Sequence, residues 1–348
     1  MTIDTGSSRR SSSGSKSTRV TIIDVAEVAG VSVSTVSKVV NDRYGVSPET
    51  YDRVMRVVAE LGYQSSLVAS SLRRGRTNVI GILVPEFEPF SVELLKGISS
   101  AAEGTGYELL AYSGNLEHNQ DGWERRSLSR LAGTLIDGAV IIAPTATVTD
   151  ASIPVVAIDP HTGGEGPSTV EVDNIAGARA ATEHLIALGH RRIAHIRGRE
   201  DLVSASRREQ GYREALDAAG IPFDPSLVRV GGYRALETTD AAHELLARAD
   251  RPTAIFSAND LSAIRVMEVA AEMGLRVPED LSVVGFDNVP EAANAVPPLT
   301  TIGQPMHEMG AEAVRVLLML LRGESAEEHL RLPATLVVRG STTRPSLG

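Results

Sequence analysis

Asp159 follows the apolar run VVAI, Asn259 and Asp260 follow AIFSA, and Asp287 with Asn288 follows VVGF. Carboxylates accept hydrogen bonds, a carboxamide both donates and accepts, and a guanidinium donates through a fixed fork. Arg208, shortly after IAHIRG, supplies that fork. The set suits a polyhydroxylated molecule, with Phe90 and Tyr233 as ring faces for its apolar side. Catalysis is not selected: there is no G-x-S-x-G elbow, Walker loop or H-E-x-x-H, and GRED at 198–201 is not a dinucleotide fingerprint. The eight histidines are scattered, so His190 and His195 read as structural, and neither a metal nor a cofactor is expected. HTGGEG at 161–166 is a turn-rich loop without the pattern of a phosphate cradle.

A second chemistry lies near the start of the chain. TIIDVAEVAGVSVSTVSKVV, residues 21–40, holds two short helical patterns joined by Gly30-Val31-Ser32, an arrangement that can lay a helix in the major groove of DNA. Val25, Ala26 and Ala29 make one apolar face, and Val36, Val39 and Val40 pack back on it from the second helix. Val33, Ser34, Ser37 and Lys38 then face outward. Ser32, Ser34, Thr35 and Ser37 bring hydroxyls to a helix N-terminus, where they can meet a phosphate. Thr21 with Asp24 resembles an acidic capping box, and Ser47-Pro48-Glu49 opens a third helix. Val54, Val57, Val58 and Leu61 of that helix are expected to close a small core with Val25, Val28 and Val36.

The segment from Gln64 to Thr77 joins this domain to the rest. Leu67, Val68 and Leu72 offer an apolar face beside Arg73, Arg74 and Arg76, yet the segment is too short to be a stable helix alone. It reads as a hinge that orders when held on DNA. Beyond it come buried-strand runs at 79–84, 138–142, 155–158, 193–196, 253–256, 282–286 and 336–338, alternating with helix-length segments. That alternation predicts parallel sheets with helices on both faces, and about 270 residues suit two α/β lobes with a ligand at the strand ends between them.

Charge divides in the same sense. Residues 1–76 carry 11 Lys and Arg against 7 Asp and Glu, a net +4, whereas the whole chain is −10 and residues 77–348 are therefore −14. Positive charge confined to the DNA-reading end draws phosphates without general stickiness. No run of apolar residues is long enough to span a membrane, and the first 17 residues read as a polar disordered tail without a signal-peptide core. Absence of cysteine excludes disulfides and thiolate chemistry and agrees with a cytoplasmic location.

The run TIIDVAEVAGVSVSTVSKVVND, the segment ASSLRRGRTNVIGILVP, and the blocks ALGHRRIAHI, EMGLRVPEDLSVVGFDN and PPLTTIGQP resemble the LacI/GalR family of bacterial transcriptional regulators over residues 20–340. The resemblance implies an N-terminal helix-turn-helix three-helix domain at 18–64 and a hinge helix and linker at 65–76. It also implies a two-lobed periplasmic-binding-protein-like core at 77–340, between a tail at 1–17 and another at 341–348. Val33, Ser34 and Lys38 match base-reading positions, and Thr35 and Ser37 match backbone-contacting or supporting ones. Thr21 and Ser32 join the DNA-binding set, and Leu72 matches a leucine wedged into the minor groove. Phe90, Asp159, Arg208, Asn259 and Asp287 match effector-pocket positions, with Tyr233 a weaker match. Three departures stand out: Ser65 replaces a usual proline, Ser70 a frequent arginine, and Lys38 a common arginine.

The partners so implied are double-stranded operator DNA, a second copy of the chain, and a small-molecule effector of mono- or oligosaccharide type. Pairing of dimers into tetramers stays open. A ligand that prefers one of two core arrangements changes DNA affinity by its differential affinity for them. Release of the operator by a sugar is the expectation; a corepressor of purine type or phosphoprotein-assisted control is the alternative. An exported sugar-binding protein would need a leader and would not carry a helix-turn-helix, and an enzyme would turn over sugars rather than bind them stoichiometrically.

Overall fold

The computed structural model describes residues 20–40, 44–63, 76–114, 122–148, 151–162 and 166–346. The chain divides into two compact units, Met1–Arg74 and Gly75–Gly348. Of the expected hinge helix and linker at 65–76, residues 65–75, Leu72 among them, lie outside the described residues, as does the tail at 1–17.

The first unit is built from α1 (Ile22–Ala29), α2 (Val33–Val40) and α3 (Pro48–Leu61). Its helix starts follow the expected chemistry. Thr21 accepts from the Asp24 backbone N–H at 3.4 Å while the Thr21 backbone N–H donates to the Asp24 carboxylate at 2.6 Å, a reciprocal capping box. Ser47 caps α3, with Pro48 in its first turn. Between α1 and α2, Gly30 takes the left-handed conformation at φ 65°, and the Val31 N–H closes back on the Ala26 carbonyl at 3.1 Å. Only glycine enters that region without a Cβ penalty, so the turn and the angle between the two helices depend on it. Val25, Ala26, Ala29, Val36, Val39, Val54 and Val57 form the core, with Val40, Val58 and Leu61 partly buried around it. Val28 departs from expectation: it is 58% exposed. The buried stripe of α1 runs through Val25, Ala26 and Ala29, and Val28 falls on its flank, where neither other helix covers it.

Among its described residues the second unit has two lobes, each a six-stranded sheet. Twelve strands are numbered in chain order: β1 (Val79–Val84), β2 (Glu108–Ser113), β3 (Gly138–Ile142), β4 (Val155–Ile158), β5 (Ser168–Val172), β6 (Ile193–Arg197), β7 (Val228–Val230), β8 (Ala254–Ser257), β9 (Ser282–Asp287), β10 (Thr300–Gly303), β11 (His329–Leu332) and β12 (Thr335–Val337). The first sheet runs β11-β5-β4-β3-β1-β2 and the second β12-β10-β9-β8-β6-β7. All pairs are parallel except β12 against β10, so the expected wholly parallel second sheet ends in one antiparallel edge strand. Burial on both faces explains the continuous apolar runs: Ile80, Ile82 and Val84 pack into one cluster and Val79 and Leu83 into the opposite one.

Helices of the core are α4 (Pro89–Ala102), α5 (Trp123–Leu131), α6 (Asn174–Ala187), α7 (Val203–Ala218), α8 (Ala235–Leu246), α9 (Asp260–Glu272), α10 (Pro290–Asn294) and α11 (Met306–Leu321). The chain passes from one lobe to the other between β5 and α6, between β10 and α11, and between β11 and β12. In the first lobe α4 and α11 touch backbone to backbone. A Cβ at Gly97 would run into the His307 carbonyl, and one at Gly310 would lie 2.5 Å from the Leu94 carbonyl oxygen. Gly97→Ala is therefore expected to destabilise the core by about 1–3 kcal/mol through overpacking, despite alanine's better helix propensity. Urea denaturation of the full-length protein checks the sign.

Candidate functional site

Both sheets have a switch point, where successive strands leave in opposite directions: β1 between β2 and β3, and β6 between β7 and β8. Ligands collect beside the carboxyl ends of strands at such points. Here both ends face one cleft, a cavity of about 190 Å³. All six residues expected at the effector site line it: Phe90 and Asp159 from the first lobe, and Arg208, Tyr233, Asn259 and Asp287 from the second.

Arg208 organises the second-lobe side. It is 3% exposed, with Nε donating to Asn174 Oδ1 at 2.8 Å and Nη1 donating to the Ala258 carbonyl. Nη1 also stands 3.6 Å from Asp287, and the guanidinium lies 3.7 Å from the Phe286 ring centroid. A buried charge held this way presents its fork in a fixed direction. Asp287 is buried too and accepts from Gln304 Nε2 at 2.7 Å. Burial pushes its carboxyl up to about 7, against the lowering pull of Arg208 and Gln304. Asn259 caps α9, its Oδ1 accepting the Ser262 N–H at 3.0 Å, so its carboxamide is locked in place. Asp260 beside it is held by the Val289 N–H at 2.9 Å and by the Thr301 hydroxyl, which ties the turn after β9 to α9.

Backbone strain gathers at the same place. Ala143, Asp159, Tyr233 and Asp287 line the cleft with φ of 47°, 48°, 64° and 117°. Non-glycine residues seldom occupy this region, and it persists only where surrounding structure imposes it. Tyr233 further requires a glycine opposite, because a Cβ at Gly198 would overlap its ring.

The two lobes also meet across the cleft. Ser204 on α7 hydrogen-bonds His161 at 3.1 Å and the Tyr233 hydroxyl at 3.2 Å, and Arg234 Nη2 donates to Glu86 at 3.3 Å. Burial keeps His161 below the usual imidazole range, opposed by the nearby Asp159 carboxylate. Near two of the crossings, Glu171 on β5 accepts from Arg207 at 2.6 Å and from Arg331 at 2.7 Å, linking the second lobe to the first.

Sequence reading missed Trp123, His161, Ser204, Arg234 and Gln304, all in the cleft wall. Trp123 is the only tryptophan of the chain, and Gln304 sits inside the block PPLTTIGQP, so both carried some signal. His161, assigned to a turn-rich loop, carried none. His190 and His195 are structural: His190 bonds Thr253, Ser282 and the Thr343 carbonyl, while His195 is stacked between Tyr212 and Phe256. No group of side chains able to hold a metal occurs among the described residues, and no helix among them is long and apolar enough to cross a membrane.

On the first unit, Val33, Ser34 and Lys38 are exposed on α2, whereas Thr35 and Ser37 are partly buried. Ser32 caps α2: its Oγ accepts the Thr35 N–H at 3.1 Å and bonds the hydroxyls of Ser34 at 2.7 Å and Thr35 at 2.9 Å. Thr21 spends its hydroxyl on Asp24, donating at 2.7 Å.

A helix-turn-helix unit followed by two α/β lobes around a polar cleft is the architecture of a DNA-binding regulator with a small-molecule-binding core. Residues 21–66 match the model of the bacterial regulatory proteins, lacI family, and residues 182–342 that of the periplasmic binding protein-like domain. The HTH-type transcriptional regulator CelR of Thermobifida fusca is 38% identical over 340 residues, covering 93% of this chain and 98% of that protein. A solved CelR–cellobiose complex superposes with a TM-score of 0.68 at 36% identity, covering 93% of this chain and all of that one. The lac repressor dimer bound to operator and the anti-inducer ONPF gives 0.79 at 30% identity, covering 94% of this chain. The chain belongs to the LacI/GalR family of bacterial transcriptional regulators.

Proposed function

We propose that the protein is a repressor that binds a pseudo-palindromic operator as a homodimer and is released from it by a sugar. The observation that carries the effector class is the buried Arg208–Asp287 pair, facing Asp159 across one cleft with Asn259 and Phe90 beside it. Beyond the bonds they already make within the protein, Arg208 Nη2, the Asn259 amide N–H groups and the two carboxylates have donors and acceptors left for neighbouring hydroxyls, whereas an apolar ligand would take these from water with nothing in return, at about 1–3 kcal/mol each. The cellobiose complex of CelR supports the same chemical class. In this reading 18–64 reads DNA, 65–76 is the hinge with Leu72 in the minor groove, and 77–340 senses and dimerises.

Thermal unfolding of the full-length protein with glucose, galactose, ribose, cellobiose, maltose and lactose, and with adenine and hypoxanthine, tests the effector class. Binding to the native state raises the midpoint. A rise with a sugar supports the proposal, and a rise with the purines alone refutes it.

On α2, exposed Lys38 and Ser34 contact base edges, while the hydroxyls around the helix start position the phosphate backbone. Lys38→Ala is expected to change the preference among operator variants by about 1–3 kcal/mol at one base pair. Competition binding with single-base operator variants measures it; equal weakening on every sequence would assign Lys38 to phosphate instead.

A further inference from the structure

The cleft has an inner and an outer end, distinguished by burial. At the inner end the side chains of Arg208 and Asp287 are 3% and 9% exposed. At the outer end those of Arg234 and Glu86 are 39% and 36% exposed, yet both line the same cavity, as does Glu88. Tyr233 and Arg234 are consecutive: the tyrosine ring centroid lies 5.8 Å from the Arg208 guanidinium, while Arg234 reaches the opposite lobe.

Asp159, Arg208, Asn259 and Asp287 offer enough donors and acceptors to engage the hydroxyls of one sugar ring. A ring held there leaves the outer groups unused. The 3.3 Å bond to Glu86 occupies one of the five N–H donors of Arg234, and Glu86 and Glu88 carry acceptors beyond it. Half-exposed charged groups of both signs pair with hydroxyls at a smaller desolvation cost than buried ones.

We propose that Glu86, Glu88 and Arg234 form an outer subsite for a second sugar unit, so that the effector is a disaccharide or longer oligosaccharide rather than a monosaccharide. This rests on the sugar reading of the inner end. It adds a specificity that the inner end alone lacks, because the second unit touches both lobes.

Titration calorimetry of the full-length protein with glucose, cellobiose, cellotriose, maltose, lactose and galactose tests it. At least one disaccharide is expected to bind about tenfold or more tighter than the monosaccharides, the scale of one added hydrogen bond to a charged group. Arg234→Ala is expected to cut that margin to about threefold or less, and Arg234→Lys to restore part of it. Binding of glucose or galactose by the alanine variant shows that its inner end is intact. Monosaccharides binding as tightly as every disaccharide, or an unchanged margin in Arg234→Ala, overturns the outer subsite and leaves the sugar reading standing. Binding of no sugar in the series overturns both.

Discussion

Asp287→Asn is expected to yield a repressor that holds its operator but no longer responds to its effector. Asparagine keeps the side-chain shape and tolerates the φ of 117° better than alanine would, so the turn after β9 survives. What is lost is the charge. Asp287 stands 3.6 Å from Arg208 and accepts from Gln304, and both groups lose an ionised acceptor in the variant. A ligand hydroxyl bonded to the carboxylate loses it too. Charge-assisted hydrogen bonds contribute about 1.5–3 kcal/mol, so effector affinity should fall by about 10- to 150-fold. Calorimetry with the identified sugar gives the loss, and operator titration without sugar shows that the DNA-reading unit is unaffected. Full sugar affinity in the variant would remove Asp287 from the site.

Effector binding is expected to strengthen as pH rises towards about 7 and to level off above it. Burial lifts the Asp287 carboxyl from 3.8 to about 7, so in acid the free protein holds a proton there. Hydroxyls that donate to this side chain favour its ionised form, and binding must expel the proton. Below the shifted value the affinity should therefore rise up to about tenfold per pH unit, with proton release that varies calorimetric enthalpy between buffers. Asp287→Asn should flatten this profile. The same shift bears on stability with its own sign. The native state binds the extra proton, so this group's contribution is complete below 3.8 and is lost as pH rises through about 7.

The strands visible in the sequence are those buried on both faces, such as β1, β3, β4 and β9, whose residues are all buried and read as unbroken apolar runs. β2, ELLAYS, lies at a sheet edge with no fully buried residue, and its short run LLAY contains no β-branched residue to mark it as a strand. β10, TTIG, is buried but polar in sequence: Thr300 and Thr301 are satisfied by Arg339 and Asp260, partners distant in the chain. A periodicity reading cannot see partners supplied by tertiary structure.

The site divides along the same line. Asp159, Asn259 and Asp287 announce themselves by following apolar strands, because strand carboxyl ends face the cleft at a switch point. His161, Arg234 and Gln304 come from loops and a crossing segment, and their place depends on how the two lobes face each other. The core of the first unit was legible except at Val28, since helical spacing gives a face but not which neighbours cover its flank.

Sugar in the cleft and operator on the helix-turn-helix unit are expected to oppose one another. Coupling of this kind is reciprocal, so it can be read from the DNA side alone. An operator is first selected from a random DNA pool with the full-length protein, then labelled and titrated by fluorescence anisotropy at fixed salt, with and without the sugar that raises the unfolding midpoint. The expected result is a weakening of operator affinity by about tenfold or more in saturating sugar, within the usual 1–3 kcal/mol range of allosteric coupling. Tighter operator binding in the presence of that sugar, or no change, would rule out release of the operator by the sugar.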